Sequence, residues 1–482
     1  MNKSTLRSHP HPRSRGARPV LAALAAAMAL AGCSFIPTYE RPAAPVPSIF
    51  PGDPPQPAGA APSTVAWQDF FTDERLRGLI ATALANNRDL RVSVLNIEQA
   101  RAQFQIQRAA LFPAVGVSAG GNRSSPNIYQ AFGGGSVSSS YSVNLGVSAW
   151  ELDFFGRVRS LKEQALAQYL ATEESRKAAQ ISLIAAVANG WLTVLADDEL
   201  LEITRQTLAT RDESVRLTRL RFENGVSSEI DFQLANSLAE TARASYAQLQ
   251  RQRAQDENAL ALLVGAPVPS TSLTGIERGL ETAAIMSDVP AGLPSDLLTE
   301  RPDIRAAEQQ LIAANANIGA ARAAFFPRIT LTGSIGTQST EFSDLFSAGT
   351  KAWSFAPSIS LPIFNAGLNQ AALDVSRASR EVAVAQYEKS IQTAFREVSD
   401  ALAGRSTYGE QVRALRAQTQ AEATRFRLQD LRYRNGISSS LDLLDAQRSL
   451  FVAQQSAVQA RLQQLQNQVT LYKALGGGWA ER

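Results

Sequence analysis

Histidine is almost missing from this 482-residue chain: it occurs at His9 and His11 and nowhere beyond, and the single cysteine is Cys33. Once the first residues are set aside, this excludes His-based catalytic triads and His metal sites and, if Cys33 is acylated, Cys metal sites and thiol chemistry. An apolar run capable of spanning a bilayer as a helix is missing near the N-terminus too. The stretch from Val20 to Ala31 is too short, and it follows Lys3, Arg7, Arg13, Arg15 and Arg18 with no acid between them. That pattern reads as a signal peptide over 1–32, absent from the mature protein. Nor does one sign of charge dominate. The net charge is +3, the leader holds five positive charges, and the remainder is therefore −2 (3 − 5). The electrostatic footprint of a nucleic-acid binder disappears with the leader. Aromatics make up 7% of the chain; the abundance of Ala, Leu, Gln and Arg favours long helices.

What is present is a repeat. Arg221-Phe222-Glu223-Asn224-Gly225-Val226-Ser227-Ser228 reads against Arg432-Tyr433-Arg434-Asn435-Gly436-Ile437-Ser438-Ser439, 211 positions on. Gly156 returns as Gly367 and Leu263-Val264-Gly265 as Ala474-Leu475-Gly476 at the same offset. Leu111-Phe112-Pro113 returns as Phe325-Phe326-Pro327, and Asp89-Leu90-Arg91 as Asp303-Ile304-Arg305, at an offset of 214. A unit of roughly 180 residues used twice is too long for a short-period solenoid. It implies one elongated body with internal pseudosymmetry.

Residues 34–66 hold nine of the 22 prolines, so this segment reads as an extended tether that packs no core. From Trp67 the pattern is helical, with Leu76, Leu79, Ile80, Ala83 and Leu84 on one face. A helix from about Asp89 to Leu111 stops at Phe112-Pro113, because proline disfavours helix in its predecessor. The period then changes to two: Ser142 to Ser148 alternates polar and apolar, as do Ile329 to Ile335 and Trp353 to Ile363, and Ala114 to Ser118 more weakly. Gly133-Gly134-Gly135 and Ser138-Ser139-Ser140 read as loop. Strands with one apolar and one small polar face fit half of a sandwich or a membrane barrel with a wet interior. Trp150 and Trp353 near strand ends favour the membrane. After Gly156 a helix runs to about Phe222, with Val187, Val194, Leu201, Leu208, Val215 and Phe222 every seventh residue as a coiled-coil seam. A turn at Asn224-Gly225 leads to a helix from about Ser228 to Val264, closed by Gly265. The second copy places its helices at about 303–325, 367–432 and 439–475. The short and medium helices together nearly equal the long one, giving two parallel columns of about 90–100 Å.

Two copies supply four strands, and four tilted strands cannot close a barrel in lipid, where an open edge leaves backbone groups unpaired. A dimer would give eight strands and a trimer twelve. Small polar inward residues favour a water-filled lumen and hence the trimer.

Leu30-Ala31-Gly32-Cys33 resembles the lipobox of bacterial lipoproteins, which implies cleavage before Cys33 and its acylation (palmitate among the chains), and Ser34 resembles lipoproteins sorted to the outer membrane. Two or three acyl chains anchor stably at about 0.8 kcal/mol per buried methylene. Over 33–479 the chain resembles a TolC-family outer-membrane efflux protein, in the lipidated OprM/NodT-like branch. The motifs that carry the likeness are Trp150-Glu151-Leu152-Asp153-Phe154-Phe155-Gly156-Arg157, the run from Gly292 to Arg305 through Thr299-Glu300-Arg301-Pro302-Asp303, and Ala474-Leu475-Gly476-Gly477-Gly478-Trp479. The resemblance implies an α+β fold: a trimeric outer-membrane β-barrel, twelve strands in total, continuing into a long α-helical periplasmic barrel. It implies a passive channel-tunnel of a tripartite efflux system, joined to a periplasmic membrane-fusion adaptor and an inner-membrane pump of the RND type. It would export drugs or other toxic compounds, with no cofactor and no catalysis.

By position, the turns that dock the adaptor in this family are Asn224-Gly225-Val226 and Asn435-Gly436-Ile437, which also read simply as helix caps. The family's closing ring of acids resembles Asp442 and Asp445, three apart and so on one helix face. The first copy keeps Asp231 but has Leu234 where the second has Asp445, which makes Asp445 the sharper gate candidate. Three symmetry-related carboxylates at one axis are expected to raise one another's pKa and to select cations. Some relatives carry an Arg between the turn and these acids; here Ser438 stands there. The expected organisation is signal peptide 1–32, tether 33–66, first repeat 67–270 with a hairpin at about 114–153, linker 271–300, second repeat 301–476 with a hairpin at about 328–364, and tail 477–482. The alternatives are a duct of a protein (type I) secretion system, a pore-free periplasmic coiled-coil scaffold and an envelope hydrolase using two carboxylates. Four alternating strands argue against the scaffold, and the lack of a pocket-like carboxylate pair against the hydrolase.

Overall fold

The computed structural model describes residues 34–50, 65–126, 137–273, 280, 286 and 301–479. Cys33 and the lipobox, Gly133-Gly134-Gly135 and most of the 271–300 linker lie outside the described residues. The elements are α1 (Trp67–Phe70), α2 (Glu74–Asn86), α3 (Arg88–Ala109), β1 (Val115–Ser124), β2 (Ser138–Glu151), α4 (Arg157–Glu223), α5 (Glu229–Val264), α6 (Pro302–Ala323), β3 (Arg328–Ser339), β4 (Lys351–Ser360), α7 (Leu368–Arg434) and α8 (Ser440–Ala474). The succession α3-β1-β2-α4-α5 is repeated as α6-β3-β4-α7-α8, and α4 and α7 have 67 residues each, about 100 Å of helix. The described residues form two compact units, one drawn from within 1–41, 99–169 and 309–384, the other from within 42–98, 170–308 and 385–482.

The first unit is built on an antiparallel sheet in the order β1-β2-β3-β4. Val117, Leu145, Ile335 and Trp353 stand opposite one another across all four strands, as do Val115, Val147, Gly333 and Phe355. The rows between them are Ser118, Asn144, Gly336, Ala352 and Gly116, Gly146, Ser334, Ser354. Side chains alternate between faces along a strand, so one face is apolar and the other small and polar. Val117, Ile335, Trp353 and Phe355 are exposed in the chain. In water each such side chain forgoes about 1.5–3 kcal/mol of burial, which a lipid environment supplies.

On β2 the apolar side chains fall at Val143, Leu145 and Val147 and then at Trp150, an odd step that simple alternation cannot place on one face. A β-bulge accommodates it. Val147 pairs with Gly333 and Trp150 with Leu331, so Ser148 and Ala149 together oppose Thr332. Ala149 takes a φ of 49°, and its N–H donates to Thr332 Oγ1 at 3.1 Å.

Three expectations need correction in this unit. Ser138, Ser139 and Ser140 belong to β2, opposite Ser124, Arg123 and Asn122; the serines pair readily once a neighbouring strand offers its ladder. β4 ends at Ser360, because Pro362 has no N–H to extend the ladder. The start of the tether also packs: Phe35 stacks on Phe326 with ring centroids 4.6 Å apart, and Asn315 Nδ2 donates to the Pro37 carbonyl at 2.7 Å. Proline removes donors but leaves carbonyls and neighbouring aromatics free to dock.

In the second unit the predicted face of α2 is buried at Leu76, Leu79, Ile80 and Ala83. Phe50, also in the tether, is buried and stacks on Phe395 with centroids 5.1 Å apart. Phe70 stacks on Tyr472 at 3.9 Å, whose hydroxyl donates to the Val65 carbonyl at 2.6 Å. The repeat is visible in how helix ends are satisfied. Asn87 Nδ2 donates to the Leu263 carbonyl at 2.8 Å, and Arg301, at the equivalent place before α6, donates from Nη1 to the Ala474 carbonyl at 2.9 Å. Arg301 is also paired with Asp303 and Glu397, which explains the Arg-Pro-Asp motif. The heptad seam is only partly as expected. Val187 and Val194 are buried, but Leu201, Leu208 and Val215 are half-buried and Phe222 is exposed. The buried seven-residue series on this part of α4 is Asp197, Thr204, Arg211 and Thr218, a polar stripe that a search for apolar periodicity passes over.

Candidate functional site

Each pair of long helices in the second unit is joined by a five-residue turn, and the two turns are built alike. Val226 N–H donates to the Arg221 carbonyl at 2.8 Å and Gly225 N–H to the Phe222 carbonyl at 2.9 Å; Ile437 and Gly436 repeat these bonds to Arg432 and Tyr433 at 2.9 and 3.0 Å. This is a Schellman closure, which needs a left-handed residue, and Gly225 and Gly436 supply it with φ of 73° and 72°. Asn224 and Asn435 each donate from Nδ2 to the carbonyl four residues back at 2.7 Å. Ser228 and Ser439 then open α5 and α8 through capping boxes with Asp231 and Asp442.

Four of the six predicted docking residues therefore have plain structural duties. Val226 and Ile437 close the helix with their backbone and leave their side chains 71% and 68% exposed; Ile230 and Leu441, four residues on, are 80% and 61% exposed. Two equivalent apolar pairs thus project from the two turns. Ile230 and Leu441 were absent from the sequence-based candidates, although each is an apolar residue in the first turn of its helix, next to the capping acid, and could be read from the sequence.

The predicted acids separate by role. Asp442 accepts from Ser439 N–H at 3.3 Å and from its hydroxyl at 2.8 Å, so it is a helix-start residue like Asp231. Asp231 also accepts the Ser440 hydroxyl; that bond, followed by the one from Ser228, holds its carboxyl below the usual carboxylate range. Asp445 makes no capping bond among those described. It is clasped between Arg425 of α7 and Arg448 of its own helix, the latter at 2.7 Å. Arg425 above all, with Arg448, holds its carboxyl below the usual range. Within one chain the shift is downward because two guanidiniums reach the carboxylate; the expected upward shift concerns three such carboxylates brought to one axis. Arg425 supplies the cation that Ser438 does not; Ser438 Oγ instead donates to Gln429 Oε1 at 3.2 Å.

Arg425 also pairs with Glu422 at 3.0 Å. Shifting Glu422, Arg425, Asp445 and Arg448 back by the 211 residues of the repeat gives Arg211, Ser214, Leu234 and Ser237. The whole ionic clasp belongs to the second copy. Beside it, a groove of about 520 Å³ is lined by Leu217 of α4, Tyr433 of α7 and Leu443 and Leu444 of α8, among others.

Comparison with known proteins gives a consistent picture. A family model described as "Outer membrane efflux protein" matches residues 79–266 and 293–477. The chain is 50% identical over 470 residues to the probable efflux pump outer membrane protein TtgC of Pseudomonas putida, covering 96% of each chain. It is 45% identical over 462 residues to the outer membrane protein OprJ of Pseudomonas aeruginosa, again with 96% of each covered. Among solved structures, the open state of the Neisseria gonorrhoeae MtrE outer membrane channel superposes with a TM-score of 0.83 at 43% identity, over 93% of this chain and 99% of that one.

Proposed function

Since this chain belongs to the outer membrane efflux protein family, a family of channels rather than of enzymes, we propose that it is the trimeric duct of a tripartite pump that exports drugs and other toxic small molecules. The observation that carries the reading is the four-stranded sheet with one face apolar through its middle rows and, among the described residues, two unpaired edges, β1 and β4. An unpaired edge cannot stand in lipid. Joining β4 of one protomer to β1 of the next in a ring of three gives twelve strands, a closed edge and a lumen lined by Ser, Asn and Gly. Acylation of Cys33 would hold the N-terminus to the same membrane.

At the turns, Val226 with Ile230 and Ile437 with Leu441 serve as apolar seats for a helical hairpin of the periplasmic adaptor. Asp445, clasped by Arg425, forms the aperture, with Asp442 setting the start of its helix. Small molecules are favoured over secreted proteins as cargo by the relatives' names, which include a toluene efflux pump protein and an antibiotic efflux pump protein. The test is to insert purified protein into planar bilayers and, in parallel, to measure drug and solvent tolerance of a deletion strain carrying the gene. Trimer-sized conductance together with restored tolerance is expected. A pore that restores no tolerance to any small toxicant would move the assignment to protein secretion; absence of a pore would end the duct reading.

A further inference from the structure

Arg211, on the buried polar stripe of α4, has 3% of its surface exposed. Its Nη1 donates to the Leu238 carbonyl at 2.8 Å, and its guanidinium carbon lies 5.2 Å from the centre of the Phe451 ring. Its Nε is buried without an acceptor among the described residues. Burial pushes its pKa down, and no carboxylate works against that. The acids around it are engaged elsewhere: Asp212 with Arg243, Glu213 with Arg216, Glu422 with Arg425, and Asp445 with Arg425 and Arg448. A buried guanidinium normally has an anionic partner, since desolvation without one is costly.

The repeat makes the missing charge explicit. The second copy's set of Glu422, Arg425, Asp445 and Arg448 is neutral, while its equivalents Arg211, Ser214, Leu234 and Ser237 carry a positive charge and no negative one. Beside Arg211 lies a half-open pocket of about 180 Å³, lined with Gln206, Thr207, Thr210, Gln447 and the Phe426 and Phe451 rings and with no acidic residue. At about 30 Å³ per water molecule, this holds a small anion together with water. The water has its own use, because Gln447 Oε1 is buried without a donor among the described residues.

We propose that this pocket binds a small monoanion of halide or carboxylate size, which acts as the counter-ion of Arg211. The site lies within one protomer and depends neither on the export substrate nor on the adaptor.

The experiment uses the intact assembled protein, crystallised with bromide in place of chloride. An anomalous bromide peak against Arg211 Nε is expected. In solution, apparent Tm should rise by about 2–4 °C between roughly 10 and 300 mM chloride at constant ionic strength, balanced with isethionate. In Arg211→Gln both the peak and the chloride response should vanish. Formate replacing chloride should stabilise similarly if a carboxylate is accepted. Wild-type crystals without halide density at Arg211 overturn the proposal, as does a carboxylate side chain of a second copy seated on Nε. Because the wild-type diffraction decides alone, the proposal remains testable if Arg211→Gln does not assemble.

Discussion

Replacing Arg425 by Ser, the residue its own repeat carries at position 214, removes the clasp from Asp445 and Glu422 while leaving Arg448 in place. The Arg425 and Asp445 side chains are 41% and 36% exposed, so solvent screens them and each pair is worth about 0.2–1 kcal/mol. That is too little to affect folding of a chain with a large helical core, and thermal stability should hardly move. Opening is different if the three protomers of the proposed trimer open together, because three pairs then contribute to one equilibrium. Their sum, about 0.6–3 kcal/mol, corresponds to a roughly 3- to 150-fold rise in the open-to-closed ratio. The aperture also loses three positive charges, so cation preference should increase. The assay is open probability and reversal potential of single channels in planar bilayers for wild type, Arg425→Ser, Asp445→Leu and the double variant. Asp445→Leu should also open the channel but lower cation preference, and the double variant should fall short of the sum of the singles, as for partners in one pair. Unchanged open probability in both single variants would refute the clasp as a gate, and additive effects would refute Arg425 as its partner.

Val226→Asp and Ile437→Asp each place a charge on an exposed apolar seat. Loss of about 1.5–3 kcal/mol of burial per seat weakens adaptor binding at least tenfold, while bilayer conductance of the isolated channel stays normal; full drug tolerance in both variants would remove these seats from the docking surface. Asp197 carries a carboxyl that burial, then the facing Asp256 and the adjacent Asp198, push up to about 7, against the opposing pull of Arg253. Its folded pKa lies above the unfolded value near 3.9, so its contribution to stability is complete below about pH 4 and is lost as pH rises through 7. Apparent Tm should therefore fall from pH 5 to pH 8 in the wild type and less so in Asp197→Asn, and an equal fall in both would count against the pair. Ala149→Gly relieves the left-handed backbone of the β2 bulge and should stabilise the sheet by about 0.5–1 kcal/mol, read as higher heat resistance of the purified trimer; Ala149→Val should do the reverse.

Much of the framework could be read from the sequence because its signals are local. The helix bounds around Pro113, Asn224-Gly225 and Gly265, and the strands at 328–339, follow from single residues and short periods that act over one or two turns of chain. The β2 bulge had a local trace, the odd step from Val147 to Trp150, but alternation alone does not say which partner residue absorbs it. The tether's packing was missed because Phe35 and Phe50 dock on Phe326 and Phe395, hundreds of residues away. The candidate site divides in the same way. The turns and caps were legible, and so was Asp445 as the place where the copies part. Its partner was not, because Arg425 meets it across two helices and no sequence period links the two positions. The polar stripe from Asp197 to Thr218 was invisible for another reason: polar residues at heptad spacing read as a wet face until the neighbouring helices cover them.

The duplication separates what both copies build alike from what the second copy alone carries. Where the copies share a structural need, they meet it with unlike residues: the Leu263 carbonyl is satisfied by the amide of Asn87, and its counterpart at Ala474 by the guanidinium of Arg301. Drift in residue type is therefore tolerated when the bond is preserved. At the turns the opposite holds. The Schellman closures and capping boxes are the same in both copies, yet four neighbouring positions change together, and the first copy joins α4 to α5 through a different ion pair, Arg243 with Asp212 at 3.0 Å. In the proposed trimer this makes six similarly built turns of which alternate ones are clasped. If the clasp is the gate proposed above, opening breaks the three α7–α8 clasps of Asp445 with Arg425 while the α4–α5 pairs of Arg243 with Asp212 stay intact.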